Sequence, residues 1–482
     1  MNDEFLRLHN RRAFLGRSSA GMGALALSSL LNPSLFGHAA EKSPTDIDRT
    51  EGILKTFHHP PRIKRVIFLY MSGGPSQFET FDYKPELARL NGEPFPETFT
   101  KGQPIAQLQG QSLSCLGAMC KFQKFGESGQ EISEYFPHLG TIADDMCIIR
   151  SMQTDQINHD PAHTVMNTGT SISGRPSMGS WITYGIGSEG HDLPGFVVLT
   201  SKGGRNPQPI STRHWHSGFL PSRFQGVKFN STGDPVLYVR NPPGISRDGQ
   251  RDVISTVQEL NRFRNETLAD AVIDTRISQY EMAFKMQMSV PELMDVSDEP
   301  RHILDMYGTE GNDGTFAGNC LLARRLAERG VRFIQLYHRG WDHHNNLTDF
   351  MTICSKLVDQ PTAALVNDLK QRGMLDETLI IWGGEFGRTP MAQSNKGAVG
   401  RDHHIRSFSM WLAGGGIRGG MTYGETDELG YNSAVNIVHV HDLHATMLHL
   451  LGIDHKRLTF PYQGRDFRLT DVKGHVVRDM LA

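Results

Sequence analysis

The sequence predicts an α/β protein with a mostly parallel central sheet and helices on both faces. Short continuous runs of β-branched and aromatic residues recur along the chain, as strands buried on both faces require. Helical patterns lie between these runs, which is the alternation of a parallel sheet. The polar residues supply a third observation. Segments 72–82, 158–163, 338–346 and 385–388 each follow a predicted strand, and ligands of open α/β sheets sit outside the carboxyl ends of the strands. Several strand ends are therefore expected to build one site.

The chain begins with "NRRAFLGRSSAGMGALALSSLL", where Arg11-Arg12 and Phe14-Leu15 precede a run of small and apolar residues. In composition and order this is a twin-arginine export signal. The apolar run 20–31 is short for a transmembrane span, and "FGHAA" offers a cleavage site near Ala39 or Ala40. Residues 1–40 are thus expected to be a signal peptide, with an uncleaved anchor as the alternative. The expected partner is the twin-arginine export machinery, and the expected destination is the periplasm or the exterior. No stable membrane span is expected after processing. Residues 41–61 are polar, end in His-His-Pro-Pro and read as a linker; 62–482 is expected to be one domain.

The first predicted strand is "RVIFLYM" (65–71), which runs straight into "SGGPSQFETFD". Ser76, Glu79 and Asp82 of that loop could reach a site, although Gly-Gly-Pro-Ser is also ordinary turn chemistry. "MCIIRSM" (146–152) is the next strand, followed by "QINHDPAHTVMNTG" (156–169). There Asp160 reads as a helix N-cap, Pro161 as the first helical residue and Gly169 as the stop. His159 falls just before the helix and His163 on its first turn, where helix ends bind anions.

After "GFVVLT" (195–200), the Gly-, Pro-, Ser- and Arg-rich region 201–250 reads as loop excursions near a site. A helical stretch is expected over 253–288. "GNCLLARRLAERG" precedes the strand "VRFIQLY" (331–337), and "AALVNDLKQRGM" precedes "TLIIWGG" (378–384). "FSMWLAGG" (408–415) is the last clear strand. In "VHVHDLHATMLHLLGI", Leu443, Met447, Leu450 and Leu451 recur at helical spacing, so His444 and His449 are expected on a polar or half-buried face.

A formal charge of -3 over 482 residues argues against a nucleic-acid binder relying on a basic face. Cys115 and Cys120 are close enough to pair in an exported protein. Cys147, Cys320 and Cys354 lie in apolar contexts and read as core. The 22 histidines fall in clusters, which points to metal. "GWDHHNNL" places Asp342, His343 and His344 after a strand, a ligand set suited to zinc, manganese or iron. Adjacent side chains on a loop can point apart, so one histidine suffices; the alternative is a solvated polar loop. Glu385 follows the Gly-Gly turn of "IIWGGEFGRTP", with Arg388 three residues on as a clamp for an anionic oxygen; a structural ion pair between them is the alternative. "GRDHHIRSF" repeats Asp-His-His with His403 and His404 just before a strand.

These motifs together resemble a known family. "VHDLHATMLHLLGI", with Asp442, Leu443, Thr446, Leu448, Leu450 and Gly452, is similar to a late segment of sulfatases, as are "AGGGIRGG" and "GRDF". With "GGPSQFETFD", "GWDHHNNL", "GGEFGRTP" and "GRDHH", the pattern over 62–482 resembles the domain-of-unknown-function 1501 family of the alkaline-phosphatase/sulfatase-like superfamily. The resemblance implies that fold and a divalent metal (zinc, manganese, calcium or iron). It also implies hydrolysis of sulfate or phosphate esters on a small-molecule or polysaccharide substrate.

Asp342, His343, His344, Glu385, His403 and His404 are the expected ligands. His159, His163 and Arg388 are the expected catalytic and oxyanion-binding groups. Aligned on Pro161, His159 takes the place of the sulfatase nucleophile and His163 that of its arginine, with no cysteine or serine to be modified. Three options follow: a histidine nucleophile, a metal-activated water, or a non-catalytic binder of sulfated or anionic polysaccharide.

Overall fold

Nine strands form the central sheet, and the run-like segments of the sequence supply its middle. In chain order they are β1 (Arg65–Ser72), β2 (Met146–Gln153), β3 (Phe196–Thr200), β4 (Val227–Phe229), β5 (Phe333–Arg339), β6 (Thr378–Gly383), β7 (Phe408–Gly414), β8 (Met421–Tyr423) and β9 (Val438–His439). The spatial order is β8-β2-β7-β6-β1-β5-β3-β4, with β9 also paired to β2. The computed structural model describes residues 51–232, 235–236, 289–395 and 398–482, with isolated positions between 249 and 287. The expected export signal lies outside the described residues, as do most of the helix expected over 253–288 and much of the linker.

Every residue of β1 is buried. Its side chains alternate between two cores: Ile67, Leu69 and Met71 face one, and Val66, Phe68 and Tyr70 face the other. That is the period-2 geometry of a strand covered on both sides. The first core is roofed by α3 (Arg301–Tyr307), α4 (Phe316–Glu328) and α5 (Leu347–Gln371), the second by α2 (Met178–Ile186) and α6 (Val440–Leu450). The mostly parallel α/β architecture is therefore as the sequence predicts. β4, β8 and β9 are too short to stand out as runs. α5 extends well upstream of the predicted segment because Pro361 sits inside the helix without ending it.

β7 is the exception to the parallel pattern. It pairs antiparallel with both β2 and β6, whereas β1 is parallel to β5 and β6. The chain thus leaves β6 at its carboxyl end, loops through 384–407 and re-enters the sheet at the same rim. Residues just before β7 join residues just after β5 and β6 for that reason.

α1 (His159–Thr168) begins earlier than expected. Its N-cap is Asn158, in extended conformation, and Gly169 ends it in the left-handed region (φ 74), as predicted. The Asp160 carboxylate does not cap the helix: it accepts from Arg213 at 2.8 Å. Pro161 is tolerated because none of the first four N–H groups of a helix has an intrahelical partner. His159 is consequently part of the first turn.

The described residues include no helix long and apolar enough to cross a membrane. All five cysteines are free, so Cys115 and Cys120 do not pair. Cys115 is buried and its backbone bridges Met391, while Cys120 is half-buried.

Candidate metal centre

Four side chains from three separate segments meet at the carboxyl rim. His159 comes from α1, Asp342 and His344 from the loop after β5, and His403 from the segment entering β7. The Nε2 atoms of His159, His344 and His403 lie 3.3, 2.9 and 3.3 Å from one oxygen, Oδ1 of Asp342. A short antiparallel ladder, His403 and His404 against Arg388 and Gly387, fixes the last of these.

Hydrogen bonds on the far side of each ring decide what those nitrogens offer. His403 Nδ1 faces the Ile157 carbonyl at 2.8 Å, which can only accept. His344 Nδ1 faces Oε1 of Gln393 at 2.6 Å. His159 Nδ1 faces Oε1 of Glu385 at 2.7 Å. Each Nδ1 therefore carries the proton, and each Nε2 of the neutral ring presents a lone pair. Three Nε2 atoms converge on an anionic oxygen, and a ring in its neutral form brings a lone pair to it. His344 and His403 approach each other Nε2 to Nε2 at 2.9 Å, and the buried His159 Nε2 has no hydrogen-bond partner.

Acceptors crowd together like this around a cation. In a tetrahedral site, donors held at 2.0–2.1 Å from zinc lie about 3.3 Å apart. The residues fit a divalent ion: His159, His344, His403 and Asp342 would hold it. Carboxylate or carbonyl partners on the outer ring nitrogens are usual for metal-ligating histidines.

The electrostatics agree with an ionised carboxylate pair. Burial pushes the Asp342 carboxyl up, but Arg388 and the three imidazoles pull it well below the usual range. Burial likewise opposes ionisation of Glu385, and His163 and His159 overcome it. His403 is held down to about 4, mainly by burial. His159 is raised: burial lowers it, but Asp342 and Glu385 outweigh that. A cation at Nε2 would compete with that proton, making metal uptake pH-dependent.

The other expected site residues take different places. Glu385 is fully buried and accepts from Gly73 N at 3.0 Å as well as from His159; it backs His159 rather than facing Asp342. His163 is sealed at 0% exposure between Tyr70 Oη (2.8 Å) and Ser72 Oγ (3.3 Å). Its Nδ1 lies 3.6 Å from Glu385, so it supports that carboxylate and cannot touch a substrate anion. Arg388 is equally buried and donates to the carbonyls of Gly73, Gly74 and Arg401 and to Asp342 Oδ1. Four of its five N–H groups are thereby engaged inside the protein; the guanidinium ties three loops to Asp342.

His343 and His404 do not join the cluster. His343 Nε2 donates to Gly340 O, 2.9 Å away, on the far side of its loop, and burial holds its pKa down to about 3. His404 donates to Tyr431 O, and burial holds it down to about 4. His403 and His404 lie on a two-residue strand, where adjacent side chains point to opposite sides, and in each His-His pair only one ring joins the cluster.

Residues 63–481 match the family described as "Protein of unknown function (DUF1501)". The chain belongs to that family. No curated protein matches. Solved structures with a similar chain path include the PsFucS1 sulfatase from Pseudoalteromonas sp. (14% identity, 87% of this chain and 72% of that one, TM-score 0.36). A protein in the alkaline phosphatase superfamily from Vibrio parahaemolyticus has 11% identity over 83% and 69% of the chains, with TM-score 0.34. The phosphonate monoester hydrolase SpPMH from Silicibacter pomeroyi has 10% identity over 87% and 76%, also with TM-score 0.34.

Several contributors were not singled out from the sequence. Gln208 Nε2 donates to Asp342 Oδ2 at 2.6 Å, and it lies in the region expected to form loops near a site. Gln107 and Gln393 brace His344. Lone glutamines in polar loops carry no pattern to find them by. Gly73 is different, since the Gly-Gly turn marks it. It has φ +123, and a Cβ there would sit 2.5 Å from Asp342 N, so only glycine lets β1 end against the Asp342 loop. Ser76, Glu79 and Asp82 are buried with their own partners; Glu79 takes a bidentate pair from Arg401 at 2.7 and 3.0 Å.

Proposed function

We propose that this protein is an exported, metal-dependent hydrolase of sulfate or phosphate esters. The observation carrying this reading is the convergence of three imidazole Nε2 atoms on Asp342 Oδ1. A divalent cation bound there would polarise an ester oxygen and lower the pKa of a water toward neutrality.

In this reading His159, His344 and His403 act as neutral donors and Asp342 as the anionic one. Glu385 fixes the His159 tautomer, and Arg388 orients the Asp342 carboxylate. His159 is thus a ligand and not the nucleophile, because its Nε2 points into the shared donor cluster. Side chains of His159 and His344 keep 15% and 13% exposure, so substrate and water approach on that side. The twin-arginine motif supports periplasmic or extracellular destination, and the sulfatase-like late segment supports an ester substrate.

One observation favours a second reading, a non-catalytic envelope protein that binds sulfated or anionic polysaccharide. Position 159 holds an imidazole where the resembling sulfatases carry a cysteine or serine. A single experiment separates the two: elemental analysis of the purified protein, followed by screening with chromogenic sulfate, phosphate and phosphodiester substrates. Stoichiometric metal with turnover supports the hydrolase; stoichiometric metal without turnover of any ester supports the binder. Absence of stoichiometric metal after purification without chelators overturns the centre itself.

A further inference from the structure

A second meeting of ligand-type side chains lies at the sheet edge, where β9 passes into α6. Asp155 follows β2, His439 ends β9 and serves as the N-cap of α6, and His441 is in the first turn of α6. One ligand atom from each falls within 4.8 Å of the other two.

The protons can be placed from the partners. His441 Nε2 lies 2.7 Å from the Gly169 carbonyl, an acceptor, so Nε2 carries the proton and Nδ1 of the neutral ring is a lone pair. His439 Nδ1 accepts the backbone N–H of His441 at 3.3 Å, so in that state it too is an acceptor, its lone pair shared with this long contact. Yet these two Nδ1 atoms face each other at 2.8 Å. His441 is only 3% exposed, where an imidazolium is costly. Asp155 stands beside the pair, its Oδ1 3.2 Å from His439 Nε2, while Lys473 occupies its other oxygen at 2.8 Å.

We propose that Asp155, His439 and His441 form a second divalent-cation site. Two imidazoles and one carboxylate suit a borderline ion such as zinc, nickel or copper(II). Its position gives it a structural task. His441 also grips the carbonyl of Gly169 at the end of α1, so a cation here would clamp the edge of the sheet to the helix that carries His159.

The test is titration of chelator-stripped mature protein with zinc and with nickel, followed by calorimetry and thermal melting. Four proteins are compared: parent, Asp155→Asn, His441→Gln and His344→Ala. Asp155 keeps 45% side-chain exposure, so its variant reports even if His441→Gln folds poorly. The expected result is one cation fewer, or at least tenfold weaker binding at one site, in Asp155→Asn and His441→Gln, together with a smaller cation-induced rise in Tm. The His344→Ala protein should retain this cation. Equal stoichiometry and affinity in parent, Asp155→Asn and His441→Gln would overturn the site and leave a proton shared between the two rings. A His344→Ala protein that binds no cation would overturn it as well. If the parent and His344→Ala each bind a single cation that His441→Gln removes, this site stands and the rim centre fails.

Discussion

The Nδ1 of His159 lies 2.7 Å from Oε1 of Glu385, and a residue 226 positions away in sequence thereby sets which ring nitrogen of the histidine is free. Removing that carboxylate should loosen the ring without removing a donor. For Glu385→Gln the expected loss of cation affinity is about 10–100-fold, the usual effect of losing a partner behind a metal-ligating histidine. Isothermal titration with zinc measures it. Unchanged affinity would mean that the His159 tautomer does not depend on Glu385.

Neighbouring histidines should behave oppositely. His344→Ala is expected to lose the rim cation and any ester turnover. His343→Gln is expected to keep both and to lose about 1–3 kcal/mol of stability, because the imidazole fills a buried place against Gly340 O. Metal content and a urea midpoint for each variant check the pair. Loss of the rim cation in His343→Gln would contradict the orientation described here.

Glu79 and Arg401 are both fully buried and meet in a bidentate pair. Glu79→Ala leaves the guanidinium charged without its partner, which typically costs about 3–5 kcal/mol. Thermal or urea unfolding should show a loss of that order. A shift below about 1 kcal/mol would mean that the carbonyls of Leu116, Gly117 and Thr389, which also accept from Arg401, suffice to hold it.

Acid should destabilise the fold through buried neutral histidines. Burial holds His338 and His444 down to about 3, against 6.5 unfolded. Unfolding therefore takes up a proton at each between those values. Their contribution is fully present above pH 6.5 and falls as pH drops, by up to about 1.4 kcal/mol per pH unit for each ring. His444→Gln can still donate to Met166 O, the present partner at 2.8 Å, but cannot titrate. The variant should lose less stability than the parent between about pH 6 and about pH 5 in urea titrations. Parallel pH dependences would show that His444 does not contribute.

The proposed export rests on the Arg11-Arg12 pair. The change of both to lysine should leave precursor in the cytoplasm, since that pair is read by a receptor. Fractionation and immunoblotting decide it, and normal accumulation of the double variant outside the cytoplasm would remove the export assignment.

Strand runs and strand-end polarity made the sheet and the site's rim legible from sequence, because both follow from which residues can be buried on two faces. Choosing between His343 and His344, or His403 and His404, was not possible: adjacent residues differ only in the side they face, and that is set by the Gly387–Arg388 ladder and the loop around Gly340. His163 and Arg388 have the right chemistry for an anion. Only the packing of Tyr70, Ser72 and the Gly73–Gly74 carbonyls shows that they are sealed off. Gln208 escaped because its role depends on where a long irregular loop returns.

The antiparallel course of β7 bears on the order in which the rim comes together. Arg388 and His403 belong to one continuous segment and meet across a local ladder, so their pairing closes at little cost in chain entropy. Asp342 is 61 positions from His403, and His159 is farther still from Glu385; these approach only after parallel strands from distant parts of the chain have zipped, the slow step in such topologies. Of the four donors only His403 is therefore in place early, and Asp342, His344 and His159 arrive later. Metal capture during refolding would mark completion of the sheet, and a chain stalled before that point would carry a half-built cup with no grip on an ion.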